Sequence, residues 1–129
     1  MEKEFLPYQE ALALKELGFD YPCFGYWFSN ETIHVGAESG VAMLSAMGGV
    51  TYFKAPIYQQ AFRFLSEKYE YFCSPTESVQ ENGKEYDYLI TKKFGIKTFI
   101  HFVGYKKTIE EAELACIIKL IEIIKENEI

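Results

Sequence analysis

The sequence predicts an α+β fold: an antiparallel sheet, made of a hairpin and a meander, covered by helices, with two tandem ββα units as one way to arrange it. The expectation rests on three features of the chain. Apolar residues recur at helical spacing near the N-terminus, after Pro56 and at the C-terminus. The stretches between them alternate apolar and polar residues with the two-residue period of strands. Asn82-Gly83 stands between two such runs, and it is a strong short hairpin signal because a type I′ turn needs positive φ at both central residues.

In chain order, "PYQEALALKELGFD" reads as a first helix. Pro7 suits its first turn, Ala11, Leu14 and Leu17 share a stripe, and Gly18 stands where a left-handed C-terminal cap belongs. "CFGYWFS" sets Phe24, Tyr26 and Phe28 against Cys23, Gly25 and Trp27, a strand pattern whose hairpin partner is "ETIHVG" across Ser29-Asn30. Residues 38–49, "ESGVAMLSAMGG", fit either a short helix turn or a mobile loop. A short strand "VTYF" leads to "APIYQQAFRFLSEKY", which is amphipathic: Ile57, Ala61, Phe62, Phe64, Leu65 and Tyr69 lie opposite Gln59, Gln60, Arg63, Ser66 and Glu67. The meander follows in "YEYFC", "TESVQENGKEYDYLIT" and "IKTFIHFVGY", with a weaker second turn at Phe94-Gly95 and partly apolar residues on both faces. "PIYQQAF" and "KTIEEAE" open the last two helices with similar chemistry, which is the likeness that tandem ββα units would leave. Thr108 and Glu111 have capping-box spacing, so the Thr108 hydroxyl can accept from the Glu111 N–H while the Glu111 carboxylate reaches back to the Thr108 N–H.

At 129 residues and 14.9 kDa the chain reads as one domain, able to bury about two-thirds of its unfolded surface. The uncharged run Val41–Phe53 is broken by Gly48-Gly49 and is too short to span a bilayer. The charged start "MEKEF" lacks the apolar run of a secretory signal, so a cytoplasmic location without membrane insertion is expected. The net charge of −6 is uneven: residues 1–60 and 108–129 are acidic, and residues 61–107 are slightly basic. Arg63 is the sole arginine, and arginine is the side chain that phosphate and base-edge recognition use most, so direct nucleic-acid binding is disfavoured.

Catalytic patterns are sparse. Cys23, Cys73 and Cys116 are odd in number and lack C-x-x-C spacing, which favours free thiols over disulfides or zinc. Asp20 and Asp87 are far apart in sequence, His34 and His101 fall in separate strands, and neither "ESG" nor "LSAMGG" has a nucleophile-elbow or phosphate-loop pattern. No cofactor and no metal are expected. The unusual resource is aromatic: eleven Phe, ten Tyr and one Trp, of which some tyrosines should reach the surface as partner-contacting area.

The last helix carries more apolar residues than one stripe needs. Ile109, Ala112, Cys116, Ile117, Leu120, Ile123 and Ile124 make a core stripe, whereas Leu114, Ile118 and Ile121 lie beyond it and predict a homodimer interface.

The blocks "LPYQEALALKELGFDYPCFGYW", "APIYQQAFRFLSEKY" and "TIEEAELACIIKLIEIIK", a little under half the chain, resemble blocks of small uncharacterised proteins encoded by phages and prophages of Bacteroides-type bacteria. The resemblance implies a mobile-element origin and life inside an infected or lysogenic cell, and it brings no assigned activity. The functional expectation is a non-enzymatic interaction protein that binds a host or phage protein as a homodimer. The alternative is a small-ligand protein for a nucleotide-like molecule, using Tyr26, Trp27, Arg63, Tyr86, Tyr88 and His101. An enzyme using His34 or His101 ranks third. An interaction protein should show a flat apolar patch, a ligand binder an aromatic pocket with a buried cation, and an enzyme a histidine beside a second polar group in a cleft.

Overall fold

A computed structural model describes residues 4–81, 83–94 and 97–127. It is α+β, with two three-stranded antiparallel sheets in place of one, and the chain divides into two compact units, Met1–Ala61 and Phe62–Ile129. The hairpin belongs to the first unit and the meander to the second.

In the first unit, α1 (Tyr8–Glu16) ends as the sequence predicts, with Gly18 at φ 100° immediately after it. Strand β1 (Gly25–Phe28) is central, flanked by β2 (Ile33–Val35) and β3 (Tyr52–Lys54). Its four residues are all buried, because both faces are covered. On one face Trp27 donates its indole N–H to the Leu6 carbonyl at 2.9 Å and meets the Tyr8 ring edge-on. On the other, Tyr26 and Phe28 join Val41, Val50 and Tyr52 in a cluster. Gly25 has to be glycine, since a Cβ there would stand 2.4 Å from the Phe5 ring. The turn expected at Ser29-Asn30 places its positive φ at Glu31, with the Asn30 side chain accepting from the Thr32 N–H and hydroxyl.

Residues 38–49, open to two readings in the sequence, form a three-turn helix, α2 (Glu38–Gly48). Gly49 closes it in the left-handed conformation, and the Ser45 hydroxyl donates to the Val50 carbonyl to fix the exit. Helix α3 (Tyr58–Tyr69) begins in the first unit and continues into the second. The Gln60 side chain secures its start, accepting from the Ile57 N–H and donating to the Pro22 carbonyl at 2.7 Å.

The second unit is a meander, β4 (Phe72–Gln80), β5 (Gly83–Phe94) and β6 (Lys97–Phe102), followed by α4 (Ile109–Asn127). Gly83 has φ 117°, while Asn82 and Gly95 of the two predicted turns lie outside the described residues. The α4 cap differs from the expectation in one bond. The Thr108 hydroxyl accepts from the Glu111 N–H at 3.1 Å, but the Glu111 carboxylate accepts a hydrogen bond from the Thr108 hydroxyl at 3.2 Å in place of one from the backbone N–H. Tandem ββα units would have two strands each; here α2 interrupts the first sheet before its third strand, and the second has three strands in succession.

Candidate interaction surface

Strand side chains alternate between faces, and antiparallel partners share one. The register Phe72–Thr91–Ile100 and Ser74–Leu89–Phe102 therefore lays two uncharged rows side by side across β4, β5 and β6. The opposite face holds Cys73, Ile90 and His101.

That opposite face is the covered one. Ile90 is fully buried, and α4 packs against β5. The Cys116 thiol lies 3.5 Å from that of Cys73, and this contact together with burial pushes the Cys116 thiol well above its ordinary pKa. Tyr88 stacks on Phe62 with ring centroids 5.4 Å apart. Burial, followed by the Glu113 carboxylate, pushes the Tyr88 hydroxyl up to about 12.

The first face is open. Phe72 is 57 % exposed, Ile100 59 % and Phe102 59 %, with Leu89 and Thr91 half-buried between them. Three large side chains at this exposure, taking about 200 Å² for each, offer roughly 350 Å² of apolar surface, the scale at which patches on monomers tend to be functional.

A built-in irregularity bounds this face. Leu89 pairs with Phe102, but Tyr86 pairs with Lys106, so the segment after β6 holds one residue more than β5 opposite it, which is a β-bulge. Gly104, at φ 120°, supplies the conformation the bulge needs. Its N–H donates to Asp87 Oδ1 at 2.8 Å, and the Tyr88 N–H donates to the same oxygen at 2.7 Å. Asp87 is only 2 % exposed, so this buried carboxylate satisfies two backbone donors at the point where the ladder breaks.

The residues singled out in the sequence distribute as follows. Ile121 is 7 % exposed, so it belongs to the core of the chain and offers no interface area; Leu114 is half-buried and Ile118 is 39 % exposed. Ile109, placed on the core stripe by the helical pattern, is 49 % exposed. Among the six ligand candidates, Trp27 is core and Arg63 is an exposed partner of Glu67 at 3.3 Å. Tyr86 and Tyr88 line a cavity of about 320 Å³ with Glu77, Asp87 and Ile109, and Tyr26 lines a different one in the first unit. His101 sits on the edge strand β6 opposite Ile90 and lines neither. His34 stacks on Phe28 at 4.0 Å, with its Nε2 3.3 Å from the exposed Thr32 hydroxyl. Among the described residues no group of three or more His, Cys, Asp or Glu is placed to hold a metal ion. No described helix is long and apolar enough to cross a membrane.

Sequence reasoning missed Phe72, Ile100 and Phe102 as surface residues. The signal was present, since both faces of the meander read as partly apolar, but the alternation alone does not say which face a helix covers. Comparison of the chain with protein-family models, curated proteins and solved structures returned no match.

Proposed function

We propose that this chain is a non-enzymatic interaction protein that works as a homodimer and engages a host or phage protein, in the phage or prophage setting its sequence blocks resemble. The supporting observation is the open sheet face of β4–β6 with its half-exposed Phe72, Ile100 and Phe102. The occupant of that face is a second copy of the chain. A two-fold axis sets a patch against itself, which brings like charges together wherever the patch is charged. The rows Phe72–Thr91–Ile100 and Ser74–Leu89–Phe102 contain no charged residue, so self-mating meets no such opposition even on a chain of net charge −6. In this reading self-association runs through the sheet, and Ile118 on α4 is a minor exposed residue.

Light scattering over a concentration series tests the reading. The wild-type chain should move from monomer to dimer as concentration rises, and Phe102→Glu should remain monomeric. Because Phe102 is more exposed than buried, the variant should keep its melting temperature within a few degrees. A wild-type chain that stays monomeric at several hundred micromolar, or a Phe102→Glu chain that dimerises equally well, would overturn it.

A further inference from the structure

The first unit holds a cavity of about 300 Å³ at the free edge of its sheet, where β3 is the outer strand. Tyr52 and Lys54 project from one face of β3 and Phe53 from the other, so the cavity wraps around the edge. Lys15, in the last turn of α1, and Glu38, the first residue of α2, complete its polar rim.

Its walls are aromatic and its polar groups are of both signs. The Tyr26 and Tyr52 rings meet edge to face at 5.7 Å, so the buried Tyr26 backs the half-buried Tyr52 ring that faces the cavity. Lys54 is only 28 % exposed along its side chain. Its ammonium is held by Asp20, through the carboxylate at 3.1 Å and the carbonyl at 3.2 Å. The Asp20 side chain is 92 % exposed, so this partner is screened by solvent and free to swing aside for another anion. On the other side, Glu38 accepts from the Tyr52 hydroxyl at 3.3 Å and keeps acceptor capacity for a second donor.

The geometry points to a binding site for a small planar heteroaromatic molecule that carries one anionic group, of the nucleoside monophosphate kind. Lys54 and Lys15 would take the anionic group, the half-buried Tyr52 ring would stack on the heteroaromatic ring, and Glu38 would accept from a ring N–H or exocyclic amine. A cationic ligand fits less well. The Lys15 and Lys54 ammonium groups are matched by the Asp20 and Glu38 carboxylates, so net charge does not decide, but Lys15 Nζ stands 5.7 Å from the centroid of the Phe53 ring, over a face a cationic ligand would need. The volume lies at the small end of ligand pockets, which excludes dinucleotides and larger cofactors. This site is independent of the dimer face and of the reading drawn from it.

Titration of the full-length chain with adenosine 5′-monophosphate, adenosine and inorganic phosphate, followed by amide chemical shifts, tests the site. The monophosphate should shift residues around Tyr52–Lys54 and bind at least tenfold more tightly than either fragment. Affinity should fall as salt is raised. Lys54→Met should weaken binding tenfold or more, and Lys15→Ala, at an exposed helix position, should weaken it severalfold and serves if the first variant fails to fold. Glu38→Gln should weaken the monophosphate and adenosine alike while leaving phosphate unchanged. Adenosine binding as tightly as its monophosphate, shifts that survive Lys54→Met and Lys15→Ala, or no shifts at millimolar ligand would overturn the assignment.

Discussion

Asp87 lies far from Asp20 in sequence, and its neighbours in the fold give it a structural task. Removing it would leave the Gly104 and Tyr88 amides without the buried acceptor they share. Asp87→Ala should therefore cost about 2–3 kcal/mol in urea unfolding, whereas Asp87→Asn, which keeps an oxygen for both donors, should lose less than half as much. Cys23 gives a prediction in pH. Burial, opposed in part by the Lys54 ammonium, pushes its thiol from 9.0 up to about 11. At pH 8 the folded thiolate fraction is then ~100-fold lower than in the unfolded chain, so alkylation of Cys23 should be slow until denaturant is added. The sign for stability follows. Because the raised pKa favours the protonated thiol in the folded state, the Cys23 contribution is complete below pH 9 and is lost as pH rises from 9 towards 11, where the unfolded chain binds fewer protons. Cys23→Ser should flatten that part of the pH–stability curve; an unchanged slope would assign it to other groups.

Among the elements, α4 separates what periodicity can and cannot reveal. Its start was readable because Thr108 and Glu111 sit three apart and cap locally, and Thr108→Ala should cost about 1 kcal/mol of stability. The two flanking isoleucines differ in burial, Ile118 lying nearly opposite the core stripe on the helical wheel and Ile121 nearer its edge. Ile118→Glu should change stability little, while Ile121→Glu places a charge at a buried position and should prevent stable folding, as read by circular dichroism and thermal melting. A wheel fixes the angle of each residue but not the breadth of what packs against it, so the burial of Ile121 was not readable in the chain. The hairpin, the meander and α3 were readable because turn chemistry and amphipathic period agree there. Helix α2 was not: Val41 is buried while Met43, Leu44 and Met47 are exposed, so apolar residues lie around most of its circumference and no single stripe announces a helix. The cavity at β3 was not readable. Of the six ligand candidates only Tyr26 lines it, and its other polar groups come from α1 (Lys15), α2 (Glu38) and β3 (Tyr52, Lys54), which only the fold gathers.

For the whole molecule, area decides how strong self-association can be. The open sheet face supplies roughly 350 Å² per copy, less than half of the ~800 Å² per partner that a stable interface of standard size buries. Association also costs several kcal/mol of translational and rotational freedom, so burial of this patch alone leaves little surplus. The expected dimer is therefore weak, with Kd in the micromolar range or above, and not an obligate one. Its stability should depend on concentration, because a species that exists only when folded draws the unfolding equilibrium towards the native state by mass action. Raising the chain from 5 to 500 µM should lift the melting temperature by several degrees in the wild type and leave it unchanged in Phe102→Glu. The proposed dimer would bury rows with no charged residue, so this lift should persist at 1 M salt, where screening abolishes interactions between exposed charges. A lift that vanishes in salt would move the contact to the acidic and basic surfaces of the chain, and a melting temperature independent of concentration in both proteins would leave the sheet face without a second copy to cover it.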